Sequence, residues 1–276
     1  MVIYDTIKWV LKQTCVNNLI NTIQGIPRDK SVVVFDLDGT LAESKVKIDL
    51  EMGLLLAQLL VNKKVAIISG ASFEQIKSQL PDSILEDTSV LNNLLVLPLD
   101  GGSFYVYKNN NWERVYAQSL TDEEKKKIFE AFGMAFKDIG YIQTKKIYGE
   151  LIEDRGSQIT FSALGQHAPL EEKEKWAKEN NNKRLVLEKK LKDYLLNMEV
   201  EVAGLTSINV TKKGIDKKFG IEQIIKYLNV SKEDVIFFGD ALEPDGNDYP
   251  ALEAGAGCYK VSSIQDTKKA IEHLLG

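Results

Sequence analysis

From residue 31 onward the chain alternates short apolar runs with stretches of helical period. Ser31 to Asp38 carries Val32, Val33, Val34 and Phe35 without interruption. A β-branched and aromatic run of this kind predicts a strand buried on both faces, as in a parallel sheet under helices. A helical pattern comes next from Asp49 to Leu60, then a strand from Lys64 to Gly70, a helix through Glu74 to Leu80, and a third strand from Leu94 to Leu99. Strands alternating with helices of this length predict right-handed βαβ units. Before them, Ile3, Ile7, Val10, Leu11, Leu19, Ile20 and Ile23 recur at helical spacing among Asp5, Lys8 and Lys12. That pattern predicts an amphipathic helix over 3–27, a candidate for homodimer contact and unlike a signal peptide.

The rhythm changes after Gly101 and Gly102. Ser103 to Tyr107 and Trp112 to Tyr116 flank a Lys-Asn-Asn-Asn turn and predict a hairpin. Between 117 and 211 the expected elements are a helix from Thr121 to Asp138, a strand from Gln158 to Ala163, helices from Glu171 to Lys178 and Arg184 to Leu196, and a strand from Leu205 to Thr211. The Lys/Asn-rich stretch Glu179 to Lys183 reads as a solvated loop. The parallel rhythm resumes with a helix from Lys217 to Leu228, strands from Asp234 to Gly239 and Gly257 to Val261, and a helix from Ile264 to Leu275. The fold class is therefore α/β. A doubly wound parallel-sheet core (1–116 and 212–276) is interrupted by an α+β insert (117–211), in keeping with 276 residues at about 150 per domain.

Composition narrows the function classes. Charged residues make up 27%, with 35 Lys and Arg against 40 Asp and Glu, so the formal net charge of −5 weighs against a nucleic-acid or anionic-lipid partner. Two Cys and two His disfavour a disulfide scaffold, a zinc cluster or a histidine-centred triad. No apolar stretch approaches the roughly 18 residues that span a bilayer, so a cytoplasmic protein is expected. Only Arg28, Arg114, Arg155 and Arg184 are arginines, and arginine is the usual bidentate phosphate ligand.

In an open parallel sheet, ligands bind beyond the carboxyl ends of the strands. The first strand ends in Asp36-Leu37-Asp38-Gly39-Thr40, whose carboxylates at i and i+2 lie on one side of an extended chain. Two such charges favour a shared Mg²⁺ or a raised pKa on one of them. A lone Asp-Gly pair, by contrast, usually only makes a turn.

The run Val34-Phe35-Asp36-Leu37-Asp38-Gly39-Thr40-Leu41 resembles the first motif of the haloacid dehalogenase superfamily of phosphotransferases. The other motifs occur in order: Ser69 and Gly70 in Ile67-Ile68-Ser69-Gly70, Lys217 in Gly214-Ile215-Asp216-Lys217, and Asp240 in Phe237-Phe238-Gly239-Asp240, with Gly246-Asn247-Asp248 behind it. The resemblance implies that Asp36 is a nucleophile and Asp38 a general acid and base. It implies further that Lys217 and Ser69 contact the transferring phosphoryl group. Mg²⁺ would be held by Asp36, the backbone carbonyl of Asp38 and Asp240. Asp248 would be a ligand through water, an orienter of Lys217, or simply a helix N-cap.

The position of the insert resembles the α/β cap of the phosphosugar phosphatase branch (subfamily IIB), and the details are most similar to the eukaryotic-type phosphomannomutases. The segments concerned are Lys45-Val46-Lys47-Ile48-Asp49, Asp100-Gly101-Gly102-Ser103, the nine residues Asp240 through Asp248, and Glu153-Asp154-Arg155-Gly156 through Ala163-Leu164-Gly165-Gln166. Departures fall where a second phosphate should be held. Gln166 stands where the mutases carry an Arg, Lys173 or a neighbour stands for another, and Ser207-Ile208-Asn209 replaces Ser-x-Asp.

Arg155 is a candidate ligand of a distal phosphate or sugar, or a surface partner of Glu153 or Asp154. Lys45 is a candidate at the site's rim, and Gln158, Ser207 and Asn209 are candidates for sugar hydroxyls. The expected activity is a Mg²⁺-dependent phosphatase of a small phosphorylated metabolite, a sugar phosphate by class. A mannose 1-phosphate/6-phosphate mutase is the alternative. A binding module without catalysis is a third reading, opposed by the presence of both Asp36 and Asp38.

Overall fold

A computed structural model describes residues 19–244 and 246–276. The chain divides into two compact units: residues up to Val115 together with Lys217–Gly276, and the inserted Tyr116–Asp216. The first unit opens with β1 (Leu19–Ile20), β2 (Val32–Phe35), α1 (Leu50–Asn62), β3 (Lys64–Ser69) and α2 (Phe73–Gln79). Two short helices, α3 (Asp82–Leu85) and α4 (Thr88–Leu91), precede β4 (Leu94–Pro98) and the hairpin β5 (Ser103–Lys108) and β6 (Asn111–Ala117). The insert contributes α5 (Asp122–Asp138), β7 (Ile152–Asp154), β8 (Gln158–Ser162), α6 (Leu170–Tyr194), β9 (Met198–Ala203) and β10 (Ser207–Lys212). The chain then returns through α7 (Lys217–Leu228), β11 (Val235–Gly239), α8 (Tyr249–Glu253), β12 (Gly257–Lys260) and α9 (Ile264–Leu275).

The first unit's sheet runs β1-β12-β11-β2-β3-β4-β5-β6. From β1 to β4 every neighbour is parallel, and β5 turns antiparallel to β4. All four residues of β2 and all five of β4 and β11 are buried, as strands covered on both faces require. Local chemistry starts the flanking helices. Asp49 caps α1 by accepting from Met52 N (2.8 Å) and Ser72 caps α2 by accepting from Gln75 N (3.3 Å). Because the strands are parallel, their carboxyl ends share one edge of the sheet.

The inserted unit has its own antiparallel sheet, β7-β8-β10-β9, and its own core. Phe161 meets the rings of Phe132, Phe136 and Tyr141 at 5.3–5.9 Å, and Ile159, Ile208, Val210 and Val200 complete the buried face. A capping box starts α5: Glu124 N donates to Thr121 Oγ1, and Thr121 N donates back to Glu124 Oε2.

Several expectations are corrected. The segment read as two helices and a loop is the single helix α6, with Glu179 to Lys183 inside it and its end at Tyr194. Polar residues on all sides hide its period, and Trp176, Leu187 and Leu191 are the inward stripe that holds it. Strands β7 and β9 are additions to the expected elements. The first has three residues, and the second comes so soon after α6 that its Glu-Val-Glu-Val alternation is lost in the sequence pattern. The N-terminal helix expected over 3–27 does not extend to its described part. There Leu19–Ile20 pairs with Cys258 and Tyr259, and Ile23–Gly25 forms one 3₁₀ turn; residues 3–18 lie outside the described residues. No described helix is long and apolar enough to cross a membrane.

Candidate active site

The parallel strands deliver their terminal residues to one edge. Asp36 succeeds β2 directly, and its amide donates to Phe238 O (2.9 Å), which fixes it beside β11. Asp240 succeeds β11. Gly39, at φ 88°, makes their approach possible: a Cβ there would lie 2.6 Å from Asp240 Oδ2, and glycine alone adopts this conformation without that side chain. At Gly239 a Cβ would run into the Asp248 carboxylate.

At the centre is Lys217, the first residue of α7, with a fully buried side chain. Its ammonium donates to Asp36 Oδ1 (2.6 Å) and to Asp248 Oδ1. Asp248 Oδ2 accepts from Ala241 N (2.9 Å), so one carboxylate ties α7 to the loop after β11. Asp248 stands at the start of α8 without capping it. Of the readings left open for this residue, the geometry brings out its grip on Lys217.

Asp36, Asp240 and Asp248 each offer an oxygen, and these atoms lie within 4.8 Å of one another. Three carboxylates against one ammonium leave a formal charge of −2, held by oxygen donors only. A hard divalent cation such as Mg²⁺ suits that donor set. The electrostatics agree. Burial pushes the Asp36 carboxyl well above the usual carboxylate range, with Asp248 and Asp240 adding to the effect and Lys217 opposing it. Asp240 is raised for the same first reason, and then by Asp248. Burial alone would lower Lys217, but the carboxylates of Asp248, Asp36 and Asp100 outweigh it and hold the ammonium charged.

Asp38 lies outside that trio. Its Oδ1 accepts from Lys45 N (3.1 Å) and Gln79 Nε2 (3.5 Å), and its Oδ2 from Ser44 Oγ (3.5 Å). Gln79 also donates to Val46 O (3.0 Å) and accepts Ile48 N on its own carbonyl (2.8 Å). The loop after the first motif is thereby pinned to α2, and Asp38 is aimed by it. Lys45 contributes through its backbone amide at φ 63° while its side chain is exposed. Ser69, buried at the end of β3, accepts from Ala71 N (3.2 Å), and Gly70 is next to it in the loop.

Two placements in this region escape sequence reasoning. Gln79 sits inside a predicted helix, where an amide signals nothing. Asp100 occupies a turn in which Leu99, Asp100 and Gly101 all have positive φ, and a Cβ on Gly220 of α7 would lie 3.5 Å from Gly101 Cα. Its proximity to Lys217 is a tertiary fact.

In the inserted unit, Arg155 and Gln166 are brought together: the guanidinium donates to Gln166 Oε1 (2.8 Å) and, through Nε, to Glu153 Oε2 (2.9 Å). Asn209 Oδ1 accepts from Thr160 Oγ1 (3.0 Å), whose oxygen accepts from Gln158 Nε2 (2.9 Å). Ser207 pairs with Ser162 (2.9 Å).

Residues 33–273 match the family model of the haloacid dehalogenase-like hydrolases. The chain is 31% identical to a phosphomannomutase of Encephalitozoon cuniculi over 230 residues, 80% of this chain and 84% of that one. It is 27% identical to a probable phosphomannomutase of Caenorhabditis elegans over 255 residues, 89% and 96% of the two chains. Among solved structures, Plasmodium falciparum IMP-nucleotidase aligns with a TM-score of 0.68 at 16% identity, over 91% of this chain and 72% of that one. A haloacid dehalogenase-like hydrolase from Bacteroides thetaiotaomicron aligns at 0.57 and 15% identity, over 86% and 92%. At these identities the structural likenesses speak for the fold alone.

Removing one partner of a buried ion pair strands the other charge, at a cost of about 3–5 kcal/mol. Lys217→Met should therefore lower the unfolding free energy of chelator-treated protein by an amount of that order, read as a lower urea midpoint. An unchanged midpoint would show that Asp36 and Asp248 do not depend on the ammonium.

Proposed function

The chain belongs to the haloacid dehalogenase-like hydrolase family, and from that premise we propose that it is a Mg²⁺-dependent phosphatase of a small phosphorylated metabolite, a sugar phosphate by class. The observation that carries this reading is the buried Lys217 held between Asp36 and Asp248, with Asp240 beside them.

Each residue has its part in the reaction. Asp36 attacks phosphorus, the P–O bond to the leaving group breaks, and Asp38 gives its proton to the departing oxygen. In the second half, Asp38 takes a proton from water as that water attacks the aspartyl-phosphate, which releases inorganic phosphate and restores Asp36. Lys217, with two of its three N–H groups on carboxylates, presents the third to a phosphoryl oxygen, and the Ser69 hydroxyl donates to another. Gln79, Ser44 and the Lys45 amide keep Asp38 oriented between the two steps. Mg²⁺, on the carboxylates of Asp36 and Asp240 and the Asp38 carbonyl, with Asp248 close by, would supply charge neutralisation between anionic nucleophile and anionic ester.

A second reading, a phosphosugar mutase, is favoured by the relatives' identity. Hydrolysis is preferred because Gln166 and Asn209 replace an Arg and an Asp of the mutase pattern, and the amide of Gln166 supplies no charge to hold a second phosphate.

Asp36→Asn keeps the shape of the side chain and removes its nucleophilicity. Its kcat should fall by about three orders of magnitude or more, and retention of a few per cent of activity would rule out the aspartyl-phosphate. EDTA should abolish phosphate release, and Mg²⁺ should restore it where Ca²⁺, with its looser coordination, does not; full activity in chelator would contradict the metal assignment. With a hexose monophosphate, free phosphate should appear faster than the isomeric monophosphate, measured side by side by phosphate and coupled assays. Interconversion of mannose 1- and 6-phosphate with almost no phosphate released would establish the mutase instead.

A further inference from the structure

Within the inserted unit, the end of α5 and the middle of α6 border a cavity of about 300 Å³. That is about twice the roughly 150 Å³ that takes up one benzene ring, so a flat body of about two rings fits it.

The wall on the α5 side is built by the way that helix stops. Its end is a Schellman motif: Gly140 takes φ 59°, its amide donates to Lys137 O (3.2 Å), and Tyr141 N donates back to Phe136 O (2.8 Å). The apolar contact that accompanies such an end is the stack of Tyr141 on Phe136, with ring centroids 4.8 Å apart. Tyr141 is thus held by the helix end, and with Ile139, Trp176 and Val186 it gives the cavity an apolar lining. Ile142 lines it as well and is 89% exposed, so an apolar ligand would take surface of that side chain out of water.

The polar groups of the lining call for an anion that accepts hydrogen bonds. The Tyr141 hydroxyl is buried and has no hydrogen-bond partner among the described residues. Burial pushes its pKa up to about 12, so at neutral pH it is a donor without an acceptor. Among the described residues no carboxylate lines the cavity, whereas Lys183 does. Its ammonium donates to the neutral Asn180 Oδ1 (3.1 Å), while Lys146, Lys190 and Lys192 of the same unit are each paired with a carboxylate. The helix itself departs from local preference here. Asn180, Asn181 and Asn182 stand in the middle of α6, where asparagine is a poor helix former, and Asn180 and Asn182 line the cavity. Such departures are expected where a site is built.

We infer that this cavity binds a small aromatic anion, a flat apolar body of about two rings carrying one carboxylate. The rings would lie among Ile139, Tyr141, Trp176 and Val186. A carboxylate is both the kind of acceptor that the Tyr141 hydroxyl lacks and the counter-charge that Lys183 lacks. The site lies wholly within the inserted unit, and the inference does not depend on the phosphatase reading.

The test is calorimetric titration of the chain with 2-naphthoate, benzoate and 2-naphthylmethylammonium. 2-Naphthoate should saturate one site and bind severalfold more tightly than benzoate, because the second ring buries more apolar surface. It should exceed the ammonium by about threefold or more, the size of an exposed ion pair, and Lys183→Gln should remove that preference. Val186→Trp, at a half-exposed position, should fill the cavity and weaken 2-naphthoate by about tenfold or more. Ile142→Ser, at a position open to water, should cause a smaller loss and serves as the measure should the first variant fold poorly. Failure of 2-naphthoate to saturate, benzoate or the ammonium bound as tightly, an anion preference that survives Lys183→Gln, or an affinity untouched by both Val186→Trp and Ile142→Ser overturns the inference. So does a chain that light scattering shows to be a dimer and that Val186→Trp turns into a monomer, since the occupant of the cavity is then a second copy.

Discussion

The ammonium of Lys217 sets the terms for everything around it. It is fully buried, and it keeps its charge because two carboxylates touch it and a third lies close enough to raise its pKa. An ion pair in such a place contributes little net stability, since desolvation of both partners offsets most of their attraction. Its contribution is position. Asp36 comes from the end of β2 and Asp248 from the far side of the loop after β11, and a single cation fixes both to the first turn of α7. The glycines answer the same demand. Gly39 and Gly239 are where the backbone must let a carboxylate through, so their missing side chains are part of one arrangement.

The parallel sheet explains why residues so distant in sequence meet. Strands β2, β3 and β11 run side by side in one direction, so the loops at their carboxyl ends emerge at the same edge. The chemistry is legible in the sequence for that reason: Asp36, Ser69 and Asp240 each close an apolar run, and Lys217 opens a helix. Runs buried on both faces are the strongest pattern a strand can write, and these strands fall within three residues of their expected bounds. The inserted unit is harder to read because its strands are short and one-sided, and because α6 is polar around most of its circumference. Its helical period survives only in Trp176, Leu187 and Leu191. The N-terminal pattern misleads for a different reason: Leu19 and Ile20 suit a helical stripe as well as they suit a parallel edge strand, and only the neighbouring Cys258 and Tyr259 decide between the two.

Roles that depend on a hydrogen-bond partner rather than on residue type stay out of a sequence's reach. Asp38 is visible as an acid, but the side chain that aims it, Gln79, is an amide in a helix, 41 residues away. Arg155 is visible as a cation, but its bonds to Glu153 and Gln166 at 2.8–2.9 Å emerge only in the fold. Asp248 suits a metal ligand, a partner of Lys217 or a cap of α8 in sequence alone, and its bond to Lys217 and the lack of a side-chain cap bond emerge only in the fold.

Hydrolysis and isomerisation share the same nucleophile and the same acid, so the carboxylate-bearing core cannot by itself distinguish them. The distinction is kinetic. A mutase must retain a doubly phosphorylated sugar long enough for it to turn and react again, and retention is governed by the dissociation rate of that intermediate. Each charge-assisted contact missing from the retaining surface costs about 1.5–3 kcal/mol, or roughly 10- to 150-fold in residence. In this chain Gln166 stands where the mutase pattern has an Arg, and the guanidinium of Arg155 bonds Gln166 and Glu153. On the phosphatase reading, an intermediate that a cationic anchor would keep is released or meets water first. Family membership carries phosphoryl transfer, and the choice between hydrolysis and isomerisation turns on how long the doubly phosphorylated sugar is kept.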